Sequence, residues 1–458
     1  MVKQIITLCS IVLLSASVHT SHAADLAGTT WRTALETGSL GPIEFHLQFT
    51  QRGETLYAQS ASGAIDLIRT LPGANGAEVN LEEGLLVFTL EKEASGYTGR
   101  LRAPWRNATI VLEVEDGQLK GEVQGSWLAG SFVGTPIAKA APLRDYAAII
   151  DRFDGIIAEK IFQPKELDSE TYKLFRQRLD AVAKAAHDDL DLLLGTDFAW
   201  TKEAFSHFQV RRFPAPAEAI IAHIDQMRVG YQAARVEFDG PIAVLRVDTM
   251  MGNDTIEQIQ AAYAAIDSTQ SKALIIDLRG NGGGAFAVKP LVEHVIDAPL
   301  YPGYFVAQKW NAGHDRPPTQ KELESIEPWR GWSISAFWHS VQQEGLMRLR
   351  FAPAEPNFNG PVYVLVDKRS ASATELAVDA LRASGLVTLV GEQTPGEMLS
   401  QSFFDLTEGF VVTLPVADYY STKFGRIEGV GIAVDVQTLS AEALDKAKAL
   451  ANKALQQR

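Results

Sequence analysis

The sequence predicts a multidomain protein: an N-terminal all-β barrel or sandwich, a helical segment, and a C-terminal α/β core. Three observations carry that reading. Short runs of alternating polarity fill the first part, helical spacing replaces them from Asp145, and apolar β-rich runs alternate with helical segments from Phe238 onward. A chain of 458 residues is too long for one ordinary domain, and 46% hydrophobic with 21% charged residues is the composition of a soluble globular chain.

Residues 1–23 read as a signal peptide. Lys3 supplies the positive end, Ile5 to Val18 is mostly apolar, and Ser21-His22-Ala23 gives a small–x–small cleavage pattern. The apolar run is too short, and too broken by Ser and Thr, for a spanning helix. The expectation is a periplasmic or secreted protein with no integral membrane span in the mature chain. Cys9, the only cysteine, leaves with the signal, so no thiolate nucleophile, thiolate metal site or disulfide remains. The formal net charge of −14 becomes −15 once Lys3 is lost. Such a chain repels phosphate backbones, and no nucleic-acid partner is expected.

Residues 24–140 are the β-rich domain. Ile43 to Phe49 alternates over a full strand, Leu85 to Leu90 and Thr109 to Val114 read as further strands, and Asp116-Gly117 marks a turn. His46 lies within the alternation and reads as structural or surface. The Ala/Pro-rich tract from Pro136 to Pro142 marks the boundary.

Residues 141–235 form the helical segment. Ile149, Ile150, Phe153, Ile156 and Ile157 recur at helical spacing, and the pattern continues from Leu167 to Leu194. Asp188, Asp189 and Asp191 lack calcium-loop spacing and read as a solvated acidic turn.

Residues 236–440 form the α/β core. Its strands are read at Ile242 to Val247, Ala273 to Asp277, Val362 to Val366 and Val387 to Val390. Helices are read at Ile256 to Ile266, Ala287 to Ile296 and Ala373 to Ser384. Tyr301 to Asn359, with Trp310, Trp329, Trp332 and Trp338, interrupts that order and reads as an insertion over the site. Residues 441–458 read as a terminal helix.

Two constellations can carry chemistry. The first, Asp277-Leu278-Arg279-Gly280-Asn281-Gly282-Gly283-Gly284, follows a buried strand. Its glycines leave backbone N–H groups unshielded and free to approach an anion. Gly280, Gly282 and Ala285 also satisfy G-x-G-x-x-A, a weak match in a chain expected to be exported. The second is Ser370-Ala371-Ser372-Ala373-Thr374-Glu375 at a strand-to-helix junction. Either a serine hydroxyl projects there from a tight turn beside helix N–H donors, or Ser370 or Ser372 is an N-cap with Glu375 completing a capping box.

These motifs, followed by Gly391-Glu392-Gln393-Thr394-Pro395-Gly396 and by Glu428-Gly429-Val430-Gly431-Ile432 with Asp435, resemble in order and kind the C-terminal processing and tricorn peptidase family. The match runs from about Ile242 to Val436. The resemblance implies a core of the crotonase/Clp type and a serine endopeptidase with Ser372 as nucleophile. It also implies an oxyanion hole from the N–H groups of Gly283 and Ala373. In the tail-specific branch a lysine base follows the E-x-T-x-G segment, but Glu397 stands here. The resemblance therefore points to the tricorn branch, which uses a histidine base. Ser206-His207-Phe208 is similar to its Ser–His pair, and Glu428 to its distal glutamate. His314 and His339 are the rival bases. Val434 replaces a frequent proline, and Phe208 to Asp239 is too short for a PDZ module.

No metal or organic cofactor is implied, since H-E-x-x-H and G-x-x-x-x-G-K-[ST] are both absent from the sequence. The expected partner is a peptide or protein substrate. The oligomeric state is not set by the sequence. The alternative is a non-catalytic binding protein on the same fold, its Trp-rich insertion lining a cleft for an apolar ligand.

Overall fold

The structure, a computed structural model, describes residues 24–37, 41–60, 87–102, 108–125, 129–138, 144–200, 204–213 and 215–457. The signal-peptide reading, with Cys9, lies outside the described residues, as do Leu85, Leu86 and residues 139–142 of the boundary tract. The chain divides into two units, Met1–Leu143 and Arg144–Arg458.

In the first unit the alternation resolves into a closed barrel rather than a sandwich. Its strands are β1 (Thr30–Thr37), β2 (Gly41–Arg52), β3 (Thr55–Ser60), β4 (Val87–Lys92), β5 (Tyr97–Leu101), β6 (Ala108–Glu115), β7 (Gln118–Gly125) and β8 (Gly130–Ala138). Each pairs antiparallel with the next, and β8 pairs with β1, so no sheet edge is left open. Along β6, Ala108, Ile110 and Leu112 point inward while Thr109, Val111 and Glu113 face out. The Asp116-Gly117 turn has positive φ at both residues, 53° and 76°, the geometry that a two-residue hairpin with right-handed strand twist requires.

The second unit opens with α1 (Tyr146–Lys160), α2 (Glu170–Ala185) and α3 (Asp189–Ala199). The single helical run expected from Leu167 to Leu194 is thus two helices. Asp188 starts the second, its side chain accepting the Asp191 N–H at 2.9 Å. The acidic turn is not solvated: Asp188 and Asp189 are fully buried. Asp189 pairs with Arg144 at 2.8 Å and Arg212 at 2.9 Å, and the Tyr146 hydroxyl donates to it at 2.8 Å. Those partners lie on other elements, so local spacing carries no trace of them.

Then follow β9 (Gln209–Arg212), α4 (Ala217–Ile224), β10 (Ala234–Asp239), β11 (Ile242–Val247), α5 (Asn253–Ser268), β12 (Ala273–Asp277) and α6 (Val288–Glu293). The Trp-rich stretch folds as β13 (Gly303–Ala307), α7 (Gln308–Asn311), α8 (Gln320–Glu324), α9 (Ile334–Glu344) and β14 (Leu346–Arg348). The chain finishes with β15 (Val362–Val366), α10 (Ala373–Ser384), β16 (Val387–Gly391), β17 (Ser400–Asp405), β18 (Phe410–Ser421), β19 (Gly425–Arg426), β20 (Val436–Gln437) and α11 (Ala443–Gln456).

A six-stranded sheet runs in the order β10-β11-β12-β15-β16-β20, parallel from β11 to β20 with β10 as an antiparallel edge. Period-2 geometry splits its apolar residues between two cores. Leu245, Leu274, Ile276 and Val364 pack with α5, α6 and α10, while Ile242, Ile275, Tyr363 and Leu365 pack on Ala443, Ala447 and Ala451 of α11. A second sheet, β14-β13-β18-β17, takes two strands from the Trp-rich stretch, and β9 also pairs with β18. That last pairing carries the helical segment onto the core.

Candidate active site

The turn from β15 into α10 separates the two serines. The Ser370 hydroxyl is buried, donating to the Leu278 carbonyl at 2.9 Å and accepting the Asp367 N–H at 2.9 Å. Ser370 is therefore a fastening. Ser372 is the N-cap of α10 with φ of +57°, a backbone region that costs a non-glycine residue about 1–3 kcal/mol. Glu375 accepts the Ser372 N–H at 3.2 Å, so the capping relation exists, and yet Ser372 also presents its hydroxyl to a cleft.

Glu375 does more than cap. Buried, it also accepts from Thr394 Oγ1 at 2.6 Å, from the Gly396 N–H at 2.9 Å and from the Glu397 N–H at 2.8 Å. Burial pushes its carboxyl above the usual range, and these donors work against that rise. It thereby ties the Gly391–Gly396 motif to the serine turn. Sequence reading missed this role, though its place three residues after Ser372 was visible.

The glycine turn packs directly on the serine. Gly283 has φ of +99°, and a Cβ there would lie 2.7 Å from the Ala371 carbonyl oxygen, 2.8 Å from Ser372 Cβ and 2.9 Å from the Ala373 nitrogen. Only glycine fits. Its N–H, however, donates to Asn281 Oδ1 at 3.0 Å, which corrects the expectation that Gly283 offers an unengaged oxyanion donor. Asn281 also donates from Nδ2 to the Val247 carbonyl at 3.0 Å and accepts the Ala371 N–H on its own carbonyl at 3.0 Å. A short polar side chain inside a glycine run takes up the nearest N–H. Gly284 lines the cleft with Ser372 and Ala373, and the N–H groups of Gly284 and Ala373 form no hydrogen bond among the described residues. Ala373 is the first residue of α10, where no intrahelical acceptor exists.

His207 reaches this turn from the helical segment. Phe208 is buried in edge contacts with Phe153 at 5.7 Å and Phe175 at 5.0 Å, and β9 pairs Gln209 with Thr413 of β18. Held between them at φ of +63°, His207 places Nε2 3.1 Å from Ser372 Oγ and Nδ1 2.6 Å from Ser206 Oγ. Glu428 accepts the Ser206 N–H at 3.0 Å on one oxygen and the N–H groups of Met398 and Leu399 at 2.6 and 3.2 Å on the other. Burial pushes the Glu428 carboxyl above its ordinary range, opposed by the Met398 N–H and by hydrogen bonds from Ser206. Ser372, His207, Ser206 and Glu428 thus form one connected chain.

The rival histidines go elsewhere. His314 stacks on Trp310 with ring centres 3.8 Å apart, and His339 is exposed on α9. His294 is buried against Tyr263 at 4.5 Å, with Nδ1 2.8 Å from the Pro356 carbonyl. His187 and His223 are exposed. Among the described residues no group of three His, Cys, Asp or Glu side chains is placed to hold a metal ion, and no helix is long and apolar enough to cross a membrane.

Residues 241–438 match the model of peptidase family S41. That stretch, less than half of the chain, is what is similar to the family. The chain is 35% identical to the carboxyl-terminal-processing protease of Synechocystis sp., over 51% of this chain and 44% of that protein. It is 27% identical to carboxyl-terminal-processing peptidase 3 of Arabidopsis thaliana chloroplasts, over 43% of this chain and 33% of that protein. The chain therefore spans less than half the length of these curated relatives. The solved photosystem II D1 C-terminal processing protease superposes at a TM-score of 0.39, with 14% identity, covering 65% of this chain and 93% of that one.

Proposed function

We propose that the chain is a serine endopeptidase that cleaves peptide bonds through an acyl-enzyme on Ser372. The connected chain from Ser372 through His207 and Ser206 to Glu428 carries the reading. A serine hydroxyl attacks a carbonyl only when a neutral imidazole takes its proton, and the Ser372–His207 separation of 3.1 Å is hydrogen-bond reach. Ser372 Oγ bonds to the scissile carbonyl carbon as its proton passes to His207 Nε2. The resulting oxyanion is received by the Ala373 and Gly284 N–H groups. His207 returns the proton to the leaving amine as the C–N bond breaks. Water then attacks the ester, its proton passing to His207 and on to Ser372, and the acyl product leaves as an acid.

Ser206 holds Nδ1, and Glu428 holds Ser206. Glu397 at the position of the tail-specific lysine supports the histidine branch, because no amine is available there. Residues 1–23 act as an export signal in this reading, and the protein works in the periplasm or outside the cell. N-terminal sequencing of the exported protein tests this, Ala24 being the expected first residue and an intact Met1 the refuting one.

A fluorophosphonate probe tests the nucleophile. Wild-type protein is labelled and Ser372→Ala is not, while His207→Ala keeps its fold and loses turnover by about 10⁴-fold or more. Labelling that persists in Ser372→Ala refutes the assignment. No labelling and no peptide cleavage by a folded wild-type protein leaves the binding-protein alternative standing.

A further inference from the structure

Ser372 opens onto a cleft walled largely by rings and aliphatic groups, among them Phe286, Phe305, Trp329, Phe337, Phe351 and Met398. Such a wall takes a large apolar side chain. Two donors interrupt it. Arg350 lines the cleft half-buried, and its guanidinium forms no hydrogen bond or ion pair among the described residues. The Trp329 indole N–H is buried and finds no acceptor among the described residues.

A third polar group, Lys289, adds positive field. It is buried, its Nζ donating to the Arg330 carbonyl at 2.7 Å and lying 3.7 Å from Glu293. Burial pushes its amine below the usual range, Glu293 opposes that, and the charge of Arg350 adds to it. Glu293 also accepts the Ala352 N–H at 3.1 Å. The lining thus has two cations against one neighbouring acid, in a setting where ring walls reduce screening. A buried donor without an acceptor is costly, and a carboxylate answers both a guanidinium fork and an indole N–H.

We propose that this cleft is a specificity pocket for an aromatic or large apolar residue accompanied by a carboxylate, which Arg350 and the Trp329 N–H receive. The carboxylate comes from an adjacent acidic side chain or from a free chain terminus. As a substrate site the pocket rests on the peptidase reading of Ser372, but as a binding site it does not.

The test uses the full chain with Ser372→Ala, which binds without turnover, and isothermal calorimetry. One peptide pair carries Phe-Asp or Phe-Asn internally with an amidated end, and the other ends in Phe as free acid or amide. One carboxylate peptide binds at least about 10-fold tighter than its neutral twin, the scale of a charge-assisted hydrogen bond. Which pair shows the difference names the source of the carboxylate. Adding Arg350→Met brings the ratio towards one, Arg350→Lys leaves it intermediate, and about 1 M salt reduces it. Equal affinity within both pairs, no measurable binding of any peptide, or a ratio unmoved by Arg350→Met overturns the proposal. Failure of Ser372 labelling in the wild type overturns the peptidase reading instead and leaves the binding ratio to decide the pocket.

Discussion

Glu428 accepts the Ser206 backbone N–H at 3.0 Å across 222 residues, so the acid fastens the neighbour of the imidazole and leaves the ring to the Ser206 hydroxyl. The link from imidazole to carboxylate is therefore relayed through a serine. Ser206→Ala removes the Nδ1 partner and leaves the backbone bond to Glu428 in place. We expect kcat to fall by about 10²-fold, or ~3 kcal/mol, with KM nearly unchanged. Steady-state kinetics check this, and an unchanged kcat removes Ser206 from the relay.

Gly283→Ala forces a methyl group to within 3 Å of three atoms of the serine turn at a φ of +99°. The turn must shift, and Ser372 with it. A displacement of about 1 Å costs about 10²-fold in turnover. Fluorophosphonate labelling slows in parallel, while circular dichroism shows the fold retained. Normal labelling rates in a folded Gly283→Ala would show that the close packing does not matter.

Asp189 sits fully buried between Arg144 and Arg212. Burial pushes the Arg212 guanidinium below its usual range, with Asp189 holding it up. Asp189→Asn leaves two buried guanidinium groups without their shared anion, which destabilises the second unit by about 3–5 kcal/mol. Urea unfolding measures it, and a loss under about 1 kcal/mol contradicts the burial argument.

Asp379 on α10 accepts the Tyr419 hydroxyl at 2.7 Å, and burial pushes its carboxyl from 3.8 up to about 6. The folded protein then binds this proton more tightly than the unfolded chain, so stability falls as pH rises between those two values and is level above them. The rise corresponds to about 3 kcal/mol. Unfolding curves of Asp379→Asn across that range should be flatter than those of the wild type, and identical slopes refute the assignment.

Much of the core was legible before the fold was known. Ile242–Val247, Ala273–Asp277 and Val362–Val366 stand where their apolar runs placed them, and α10 spans Ala373–Ser384 as its periodicity predicts. The barrel closed where the alternation allowed either barrel or sandwich, because the pairing of β1 with β8 is a long-range event. The solvated reading of Asp188 and Asp189 failed for the same reason. Their partners lie on Arg144, Tyr146 and Arg212, and a short acidic run looks alike in water and in a core.

The sequence by itself determined the ordered motifs from Asp277 to Asp435, the strand–helix alternation that carries them, and the small set of serines and histidines from which a site can be built. These are local properties, set by side-chain period and by the backbone freedom of glycine. Only the tertiary structure decided that Ser370 is fastened and Ser372 open, that the Gly283 N–H is engaged by Asn281, and that His207 is the histidine that meets the serine. That meeting spans 165 residues and depends on β9 pairing with β18 while Phe208 packs into the helical segment. Such contacts are produced by packing at a distance, and linear spacing records none of it.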